Sequence, residues 1–332
     1  MLTYVVRRIL TMIPTLLAIS AIVFVIIQLP PGDYFTSLVN ELQSRGESVD
    51  AAKLAFLKEQ YGFDKPVYLQ YFHWLVGMLN GDFGYSFEHD QPVSAVVGDR
   101  LFFTFIVSFT TIIFTWAVAF PIGVYSAVRQ YSVGDYGLTF IGFIGLATPN
   151  FLLALVLQYL AHIWFDVSIG GLVDPEFVDE PWSWAKAVSV MQHIWIPVIV
   201  IGTAGTAGMI RRLRANLLDE LSKQYVITAR AKGLHPMKAL LKYPLRSALN
   251  PFIADIGILL PQIISGAAIV SVILSLPTTG PMLLRALQSQ DMYLAGSFLM
   301  FLATLTVIGT LLSDLALAVL DPRIRLSGGR QR

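Results

Sequence analysis

The side chains that most often carry out chemistry are present in this sequence, but their spacing forms no reactive motif. The five His residues are spread along the chain without the His-Glu-x-x-His spacing of a zinc protease, and no Gly-x-Ser-x-Gly elbow occurs. The absence of Cys excludes a disulfide framework, a Cys-ligated zinc site and a thiol nucleophile. No Gly-Lys dipeptide occurs, so the sequence contains no Walker A phosphate loop. We therefore predict a protein that is not an enzyme and that binds neither a cofactor nor a metal.

The composition indicates a chain that lies mostly in a membrane. Of 332 residues, 55% are hydrophobic and only 14% are charged, whereas soluble proteins carry about 25% charged residues. This excludes a disordered chain, a nucleic-acid binder and an ordinary soluble enzyme. A helix needs about 20 apolar residues to cross the hydrocarbon core. We predict an all-α integral membrane protein with six transmembrane helices within the uncharged stretches 9–32, 101–128, 136–165, 187–210, 256–284 and 292–313.

Two of these stretches need comment. The first could be a signal peptide, but its apolar core is longer than the 7–15 residues of such peptides and no small-x-small cleavage site follows. We therefore expect a retained helix. The fifth span is expected to start earlier than its uncharged stretch, at Pro251, with Asp255 inside it.

The distribution of basic residues predicts the orientation of the chain. With the N-terminus inside, the cytoplasmic segments 1–8, 129–135, 211–250 and 321–332 hold 16 of the 23 Lys and Arg residues and only four acidic ones. Basic residues concentrate on the cytoplasmic side of membrane proteins. Both termini are therefore predicted to be cytoplasmic, and segment 211–250, with nine basic residues, decides the orientation.

Four parts of the chain follow from these assignments. Residues 1–32 form the cytoplasmic N-terminus and the first span, and residues 33–100 form an extracytoplasmic helical insertion. Residues 101–320 form a five-helix core that includes loop 211–250, and residues 321–332 form a cytoplasmic tail. Within the insertion we predict a helix from Asp50 to Gly62 and a second from Pro66 to Asn80. They either cap the spans or also dock an external partner.

Loop 211–250 has a pattern of its own. The stretch 217–232 alternates apolar and polar residues without Pro or Gly and predicts one surface helix, which Gly233 then ends. His235-Pro236 predicts the start of a second short helix, and Tyr243-Pro244 predicts another interruption before the fifth span. Such a basic elbow either meets a cytoplasmic partner or only anchors the chain by its positive charge. The regular pattern exceeds what anchoring requires.

The sequence of this loop resembles a known family, the membrane permease subunits of binding-protein-dependent ABC importers. The stretch Tyr-Val-Ile-Thr-Ala-Arg-Ala-Lys-Gly-Leu at 225–234, followed by Leu-Arg-Ser-Ala-Leu-Asn-Pro at 245–251, is similar to that family's cytoplasmic EAA loop. Ile227 stands where the general pattern has Glu, and Lys232 where it has Asp. The form Thr-Ala-Arg-Ala-Lys-Gly-Leu is typical of the dipeptide, oligopeptide and nickel branch.

Further stretches resemble the same branch along nearly the whole chain. They are Tyr-Gly-Phe-Asp-Lys-Pro at 61–66, Gly-Asp-Phe-Gly-Tyr-Ser at 81–86 and Asp-Pro-Arg-Ile-Arg at 321–325. The N-terminal Arg-Arg span followed by Pro-Gly-Asp resembles the branch's B-type permease. The stretch Leu-Pro-Thr-Thr-Gly at 276–280 departs from the family, because an aromatic residue and Pro-Gly are expected there.

The resemblance implies a type I importer fold in the bacterial inner membrane. It implies a second permease, a different chain that forms a heterodimer with this one, and two ATP-binding subunits that hold ATP and Mg. It also implies an extracytoplasmic solute-binding protein. Nucleic acid is not expected as a partner. It makes the first part of the loop a coupling helix that enters a groove of the ATPase subunit. The residues that would carry this coupling are Tyr225, Thr228, Ala229, Arg230, Ala231, Lys232, Gly233 and Leu234.

Candidate pathway residues are polar or conformationally special positions in the spans. Asp255 and Asp314 are intramembrane acids, which are functional candidates by default, but basic partners such as Arg246 or Arg323 would make them structural. The small residues of 202–208 suit close helix packing or gating. The candidates for lining or gating the pathway are Asn150, Gln158, Asp255, Gln262, Pro277 and Gly280.

The cargo stays open at this point. A peptide-type solute is expected, and oligosaccharides, opines or nickel in the same architecture are the alternatives. A more distant alternative is an ion-coupled secondary transporter. Such transporters often show inverted repeats and charged sites at the membrane midplane, and neither feature is evident in this sequence.

Overall fold

The computed structural model of the chain describes residues 2–29, 39, 65–166, 170–178 and 180–320, and these are mainly helical. A two-stranded antiparallel hairpin joins β1 (Tyr85–Ser86) to β2 (Gln91–Pro92). The longer helices are α1 (Leu2–Gln28), α2 (Val67–Leu79), α3 (Val93–Val128), α4 (Val133–Ala147), α5 (Asn150–Phe165), α6 (Trp184–Leu221), α10 (Asn250–Gly266), α12 (Thr279–Gln288) and α13 (Met292–Leu320). The shorter helices are α7 (Gln224–Ala231), α8 (Pro236–Lys242), α9 (Pro244–Ala248) and α11 (Ala268–Ile273).

The predicted all-helical membrane class is confirmed. Within the described part of the chain, α1, α3, α6 and α13 are long and apolar enough to cross a bilayer, and α4 with α5 adds a fifth crossing if this bent pair counts as one span. The helix in the fifth predicted position, α10, has 17 residues and starts at Asn250, ahead of Asp255 as expected. The count of six and the cytoplasmic placement of both termini stay predictions.

The third predicted span is interrupted, so the prediction of one continuous helix within 136–165 is wrong, although the two helices together can still make one crossing. Helices α4 and α5 meet at 99°. Thr148 is extended, with ψ 123°, and Pro149 follows it with φ −58°. The residue before a Pro is disfavoured in the helical region, so the helix ends there. Asn150 thus begins a new helix.

The chain divides into two compact units. The first comprises Met1–Phe103 with Thr278–Val307, and the second comprises Thr104–Pro277 with Ile308–Arg332. Helices α3 and α13 each contribute residues to both units.

In the first unit, α2 packs on α1 through aromatic side chains. The rings of Phe24 and Tyr71 meet edge to face at 5.4 Å, and Trp74 lies 5.6 Å from Phe24. The Ser20 and Tyr71 hydroxyls are hydrogen bonded at 2.8 Å. The prediction of a helix between Pro66 and Asn80 is therefore confirmed. The other predicted helix, from Asp50 to Gly62, lies outside the described residues.

The hairpin of the first unit is fastened to the start of α13. Buried Asp291 accepts hydrogen bonds from the Ser86 hydroxyl at 2.7 Å and from the Leu294 amide at 3.2 Å, which caps α13. Gly84 has φ +82°, and a Cβ at this residue would lie 2.5 Å from the Tyr293 ring. The close approach of this ring and the positive φ both require Gly here.

The second unit is built around α6, which packs against α4, α5 and α9. Ser183 caps its N-terminus by accepting from the Lys186 amide at 3.2 Å. The helix continues 11 residues beyond the predicted span, so that Arg211, Arg212 and Arg214 lie on α6 and not in a separate loop. One continuous helix therefore joins the predicted span to the predicted coupling elbow.

Candidate coupling loop and translocation cavity

The segment after α6 is a chain of short helices separated by sharp turns. The prediction of one helix over 217–232 is wrong, because Lys223 is extended with ψ 148° and separates α6 from α7. This break lets Leu217 remain on the buried side of α6 while Val226, also buried, points inward from α7. The predicted turns at Gly233, His235-Pro236 and Tyr243-Pro244 are confirmed.

At Gly233 the right-handed helix α7 ends with a residue in the left-handed backbone conformation. Gly233 has φ +80°, its amide donates to the Arg230 carbonyl at 2.9 Å, and the Leu234 amide donates to the Ala229 carbonyl at 3.2 Å. No atom lies within 4 Å of the place where a Cβ would be. The residue is therefore required for its backbone conformation and not for a close contact.

The inward side of the loop is held by an apolar cluster. Leu240, Leu245 and Ala248 pack with Leu213 and Leu217 of α6 in one buried core that also includes Phe252 of α10. Burying a Leu side chain contributes about 1.5–3 kcal/mol. The loop is consequently a fixed part of the second unit.

The outward side of the same loop leaves large apolar side chains uncovered. Ile227, Met237 and Leu241 are each more than half exposed. Tyr225 and Tyr243 stand beside one another with their rings edge to face at 6.4 Å. Large apolar side chains left exposed on one segment suit contact with a partner protein. The same segment exposes the basic residues Arg230, Lys232, Lys238 and Lys242.

Tyr225 also ties α7 to the end of α6. Its hydroxyl donates to the carboxylate of Glu220, which Lys223 pairs as well. Desolvation by the surrounding loop and this hydrogen bond to a carboxylate raise the pKa of Tyr225 to about 12. The phenol is therefore a neutral donor throughout the physiological range.

Two Arg residues of α6 pair with acids on neighbouring helices. Arg214 donates to both carboxylate oxygens of Asp135 at the start of α4, with Nε–Oδ1 3.3 Å and Nη2–Oδ2 3.0 Å. Arg212 is paired with Asp255 of α10, and its guanidinium lies 5.0 Å from the centre of the Phe252 ring. Asp255 thus has a basic partner, as the structural interpretation requires, but the partner is Arg212 and not Arg246. Arg323, the other basic partner suggested for the two acids, lies outside the described residues.

A cavity of about 360 Å³ lies between α3, α5, α6 and α10. Its walls are mostly apolar, with polar groups from Thr111, Asn150 and Gln262 and an ion pair between Arg212 and Asp255. A volume of this size is typical of sites for small organic ligands. The arrangement suits the passage or temporary holding of a small solute.

Comparison with known proteins identifies the family. Residues 119–326 match the family described as "Binding-protein-dependent transport system inner membrane component", and residues 1–110 match its N-terminal membrane component. The chain belongs to this family. It is a multi-pass inner-membrane protein and a permease component of a binding-protein-dependent transport system.

Named permeases resemble the chain over almost its full length. The oligopeptide transport system permease protein AppB of Bacillus subtilis is 35% identical, with 98% of this chain and 99% of AppB covered. The dipeptide transport system permease protein DppB of Escherichia coli K12 is 31% identical at the same coverage. The glutathione transport system permease protein GsiC of Salmonella typhi is 30% identical, also over 98% and 99% of the two chains.

In this permease component, the sequence-predicted coupling residues lie together on α7 and the turn after it. Most are exposed, and Ala229 and Leu234 are half-buried. Among the pathway candidates, Asn150, Asp255 and Gln262 line the cavity. Gln158 is buried elsewhere, beside Gly170. Pro277 and Gly280 are not among the described lining residues, so a role for them at an outer gate stays a prediction.

The small-residue run of α6 has two uses in this permease. A Cβ on Gly202 would lie 2.6 Å from the Phe114 ring, so packing is confirmed there, whereas Gly205 and Gly208 line the cavity. Arg212 was missed by sequence reasoning, although a signal existed. Positions 205, 208 and 212 follow helical spacing and share one face of α6.

Proposed function

We propose that this permease carries a peptide-type solute, which a solute-binding protein delivers from outside and which crosses between this chain and a second, non-identical permease. Peptides are the cargo named for AppB and DppB, and glutathione, named for GsiC, is itself a tripeptide. The cavity supports this assignment, since it combines apolar walls with amide, hydroxyl and charged groups. A peptide offers complementary groups of each kind.

In this proposal, loop 211–250 couples ATP hydrolysis on the partner subunits to transport through this permease. The observation that carries it is the contrast between the two sides of the loop. Leu240 and Leu245 are fixed in a buried core with α6, while Ile227, Met237 and Leu241 are exposed on the opposite side. A partner that seats on the exposed side can therefore push on α6 and α10 through a fixed connection. Rigid-body displacement of these helices would alternate access to the pathway.

The partner that pushes is a pair of ATP-hydrolysing subunits, which hold the ATP and Mg. This chain supplies no phosphate loop of the Walker A type. We assign it no catalytic step, no cofactor and no metal. Its part in the cycle is to convert closure of the ATPase pair into movement of the cavity walls.

Site-directed cross-linking tests the coupling surface. The chain has no Cys, so single Cys residues can be introduced without removing others. Thr228 and Val226 lie on the same helix, but Thr228 is exposed and Val226 is buried. Thr228→Cys should form a cross-link with an ATPase subunit that carries Cys residues along its groove, and Val226→Cys should not. Equal yields from the two positions would contradict the proposed surface.

Reconstitution tests the cargo. The complete importer, purified through a tag on this chain with the subunits that accompany it, is placed in liposomes with its solute-binding protein. ATP should drive uptake of labelled di- or oligopeptides. Uptake of nickel, an opine or an oligosaccharide in place of peptides would retain the importer and reassign its cargo. Transport by this chain alone, driven by an ion gradient, would overturn the proposal.

A further inference from the structure

The ion pair between Arg212 and Asp255 lies in the wall of the cavity and not behind it. Both side chains belong to the cavity lining, and they are the charged members of the lining that the structure describes. Their side chains are 53% and 30% exposed respectively. The pair is therefore accessible to a solute that occupies the cavity.

The two residues belong to the helices on either side of residues 222–249, the part of loop 211–250 that lies between α6 and α10. Arg212 lies on α6, which runs into the loop, and Asp255 lies on α10, which runs out of it. Any movement of the loop that separates α6 from α10 must also separate the guanidinium from the carboxylate. The pair would then leave one positive and one negative charge facing the cavity.

Once separated, the two charges lose their mutual attraction and are free to pair with groups of opposite charge in the cavity. A peptide with free termini carries both partners, because its carboxylate suits the planar guanidinium of Arg212 and its ammonium group suits Asp255. Two extended residues span roughly 7 Å, a length compatible with a cavity of about 360 Å³. The nearby amide groups of Asn150 and Gln262 can pair with the peptide bond.

We propose that Arg212 and Asp255 form a charge-exchange subsite of the pathway, in which the pair opens to receive the carboxylate and the amino group of a zwitterionic cargo. The inference rests on the proposed peptide cargo. When the subsite is empty, the two side chains neutralise each other and close this side of the cavity. When cargo is present, it replaces each partner with a group of the same charge sign, and the pair reforms after release.

A double-mutant cycle separates this role from a structural one. Arg212→Gln and Asp255→Asn are introduced singly and together into the complete reconstituted importer, and uptake of a labelled dipeptide is measured with excess binding protein. A purely structural pair predicts recovery in the doubly neutral variant, because no uncompensated charge remains. The subsite predicts no recovery. We expect uptake at least tenfold below wild type and a similar rise in ATP hydrolysed per peptide.

The conservative variant Asp255→Glu keeps both charges and the planar guanidinium of Arg212, so it should recover most of the uptake that Asp255→Asn loses. Wild-type uptake by the doubly neutral variant would overturn the subsite. Co-purification of the other subunits checks that each variant assembles.

A second measurement uses the wild-type importer, so it does not depend on any variant folding. A dipeptide and its C-terminal amide are each supplied at a concentration that saturates the binding protein. The amide lacks the carboxylate that would pair with Arg212, and its uptake should be at least fivefold slower. Equal rates would overturn the subsite. Failure of the wild-type importer to move any peptide would instead overturn the proposed cargo.

Discussion

Arg214 holds Asp135 by two parallel hydrogen bonds, at 3.3 Å and 3.0 Å, and thereby ties α6 to the start of α4. The carboxylate is buried and also accepts from the Tyr131 amide at 2.9 Å, while the Arg214 side chain is 27% exposed. Bidentate pairing of this kind fixes the relative orientation of the two side chains and also neutralises their charges. The helix that enters the coupling loop is therefore fixed to a neighbouring helix.

Replacement of Arg214 by Met should destabilise the permease. The change removes the guanidinium and leaves the Asp135 carboxylate buried without its cation, which costs about 3–5 kcal/mol for a fully buried pair. Because Arg214 is partly exposed, we expect a loss of about 2–3 kcal/mol. The measurement is the thermal midpoint of the detergent-solubilised importer. After heating to a series of temperatures, the fraction that remains monodisperse is read by size-exclusion chromatography.

The matched control removes both charges. Asp135→Asn combined with Arg214→Met leaves no uncompensated ion, so a large part of the lost stability should return. A double variant as unstable as the single Arg214→Met would show that the carboxylate was not the source of the penalty.

Gly233 and Gly81 provide a matched pair for the coupling turn. They have φ +80° and +81°, and neither has an atom within 4 Å of the place where a Cβ would be. Substitution by Ala should therefore strain both backbones by roughly 1–2 kcal/mol. We expect Gly233→Ala to lower ATP hydrolysis stimulated by the loaded binding protein, because it disturbs the turn after α7. Gly81→Ala should leave that stimulation near the wild-type value.

The stronger variant Gly233→Pro should abolish coupled hydrolysis and transport while membrane insertion remains. Pro cannot adopt the positive φ, and it removes the amide that donates to the Arg230 carbonyl. Unchanged stimulation in this variant would refute the assignment of the turn to coupling.

Paired Gly→Ala variants can also distinguish the residues of run 202–208 that pack against a neighbouring helix from those that line the cavity. A Cβ on Gly202 would lie 2.6 Å from the Phe114 ring, whereas Gly208 faces open space in the cavity. Gly202→Ala should lower the thermal stability, since overpacking costs about 1–3 kcal/mol. Gly208→Ala should be neutral or stabilising, because Ala favours a helix over Gly. Comparable losses at both positions would contradict this division.

The sequence predicted those features that depend on local rules. The helical class follows from long uncharged stretches, and the turn at Gly233 follows from a residue that tolerates positive φ. The break at Thr148-Pro149 also follows from a local rule, since the residue before Pro avoids the helical region. The uncharged stretch around it nevertheless predicts a single span, because its length and hydrophobicity continue across the Pro.

Features that depend on tertiary packing were harder to predict. With the interruption at Lys223, Leu217 of α6 and Val226 of α7 are both buried, and no Gly or Pro marks the site in the sequence. The partner of Asp255 was misassigned for a related reason. The charge pattern predicts that Arg212 lies in loop 211–250, whereas α6 continues far enough to bring it beside α10.

Asp291 should give the first unit a measurable pH dependence. Burial raises the pKa of this carboxyl above its ordinary value, even though Ser86 and the Leu294 amide donate to it. A pKa that is higher in the folded than in the unfolded chain contributes stability that is present below the unfolded pKa and is lost as the pH rises through the folded pKa.

Two variants of Asp291 test this dependence. Asp291→Asn keeps an acceptor for the Leu294 amide but cannot ionise, so its stability relative to wild type should increase as the pH rises through the folded pKa. Asp291→Ala removes the cap of α13 and should lower stability by about 1 kcal/mol at pH values below the folded pKa, and this deficit should narrow as the pH rises, because Ala cannot ionise either. Thermal midpoints of wild type and the two variants, measured in parallel over a range of pH, test both the raised pKa and the capping role. If the difference in midpoint between wild type and Asp291→Asn stays constant with pH, the pKa of Asp291 is not raised.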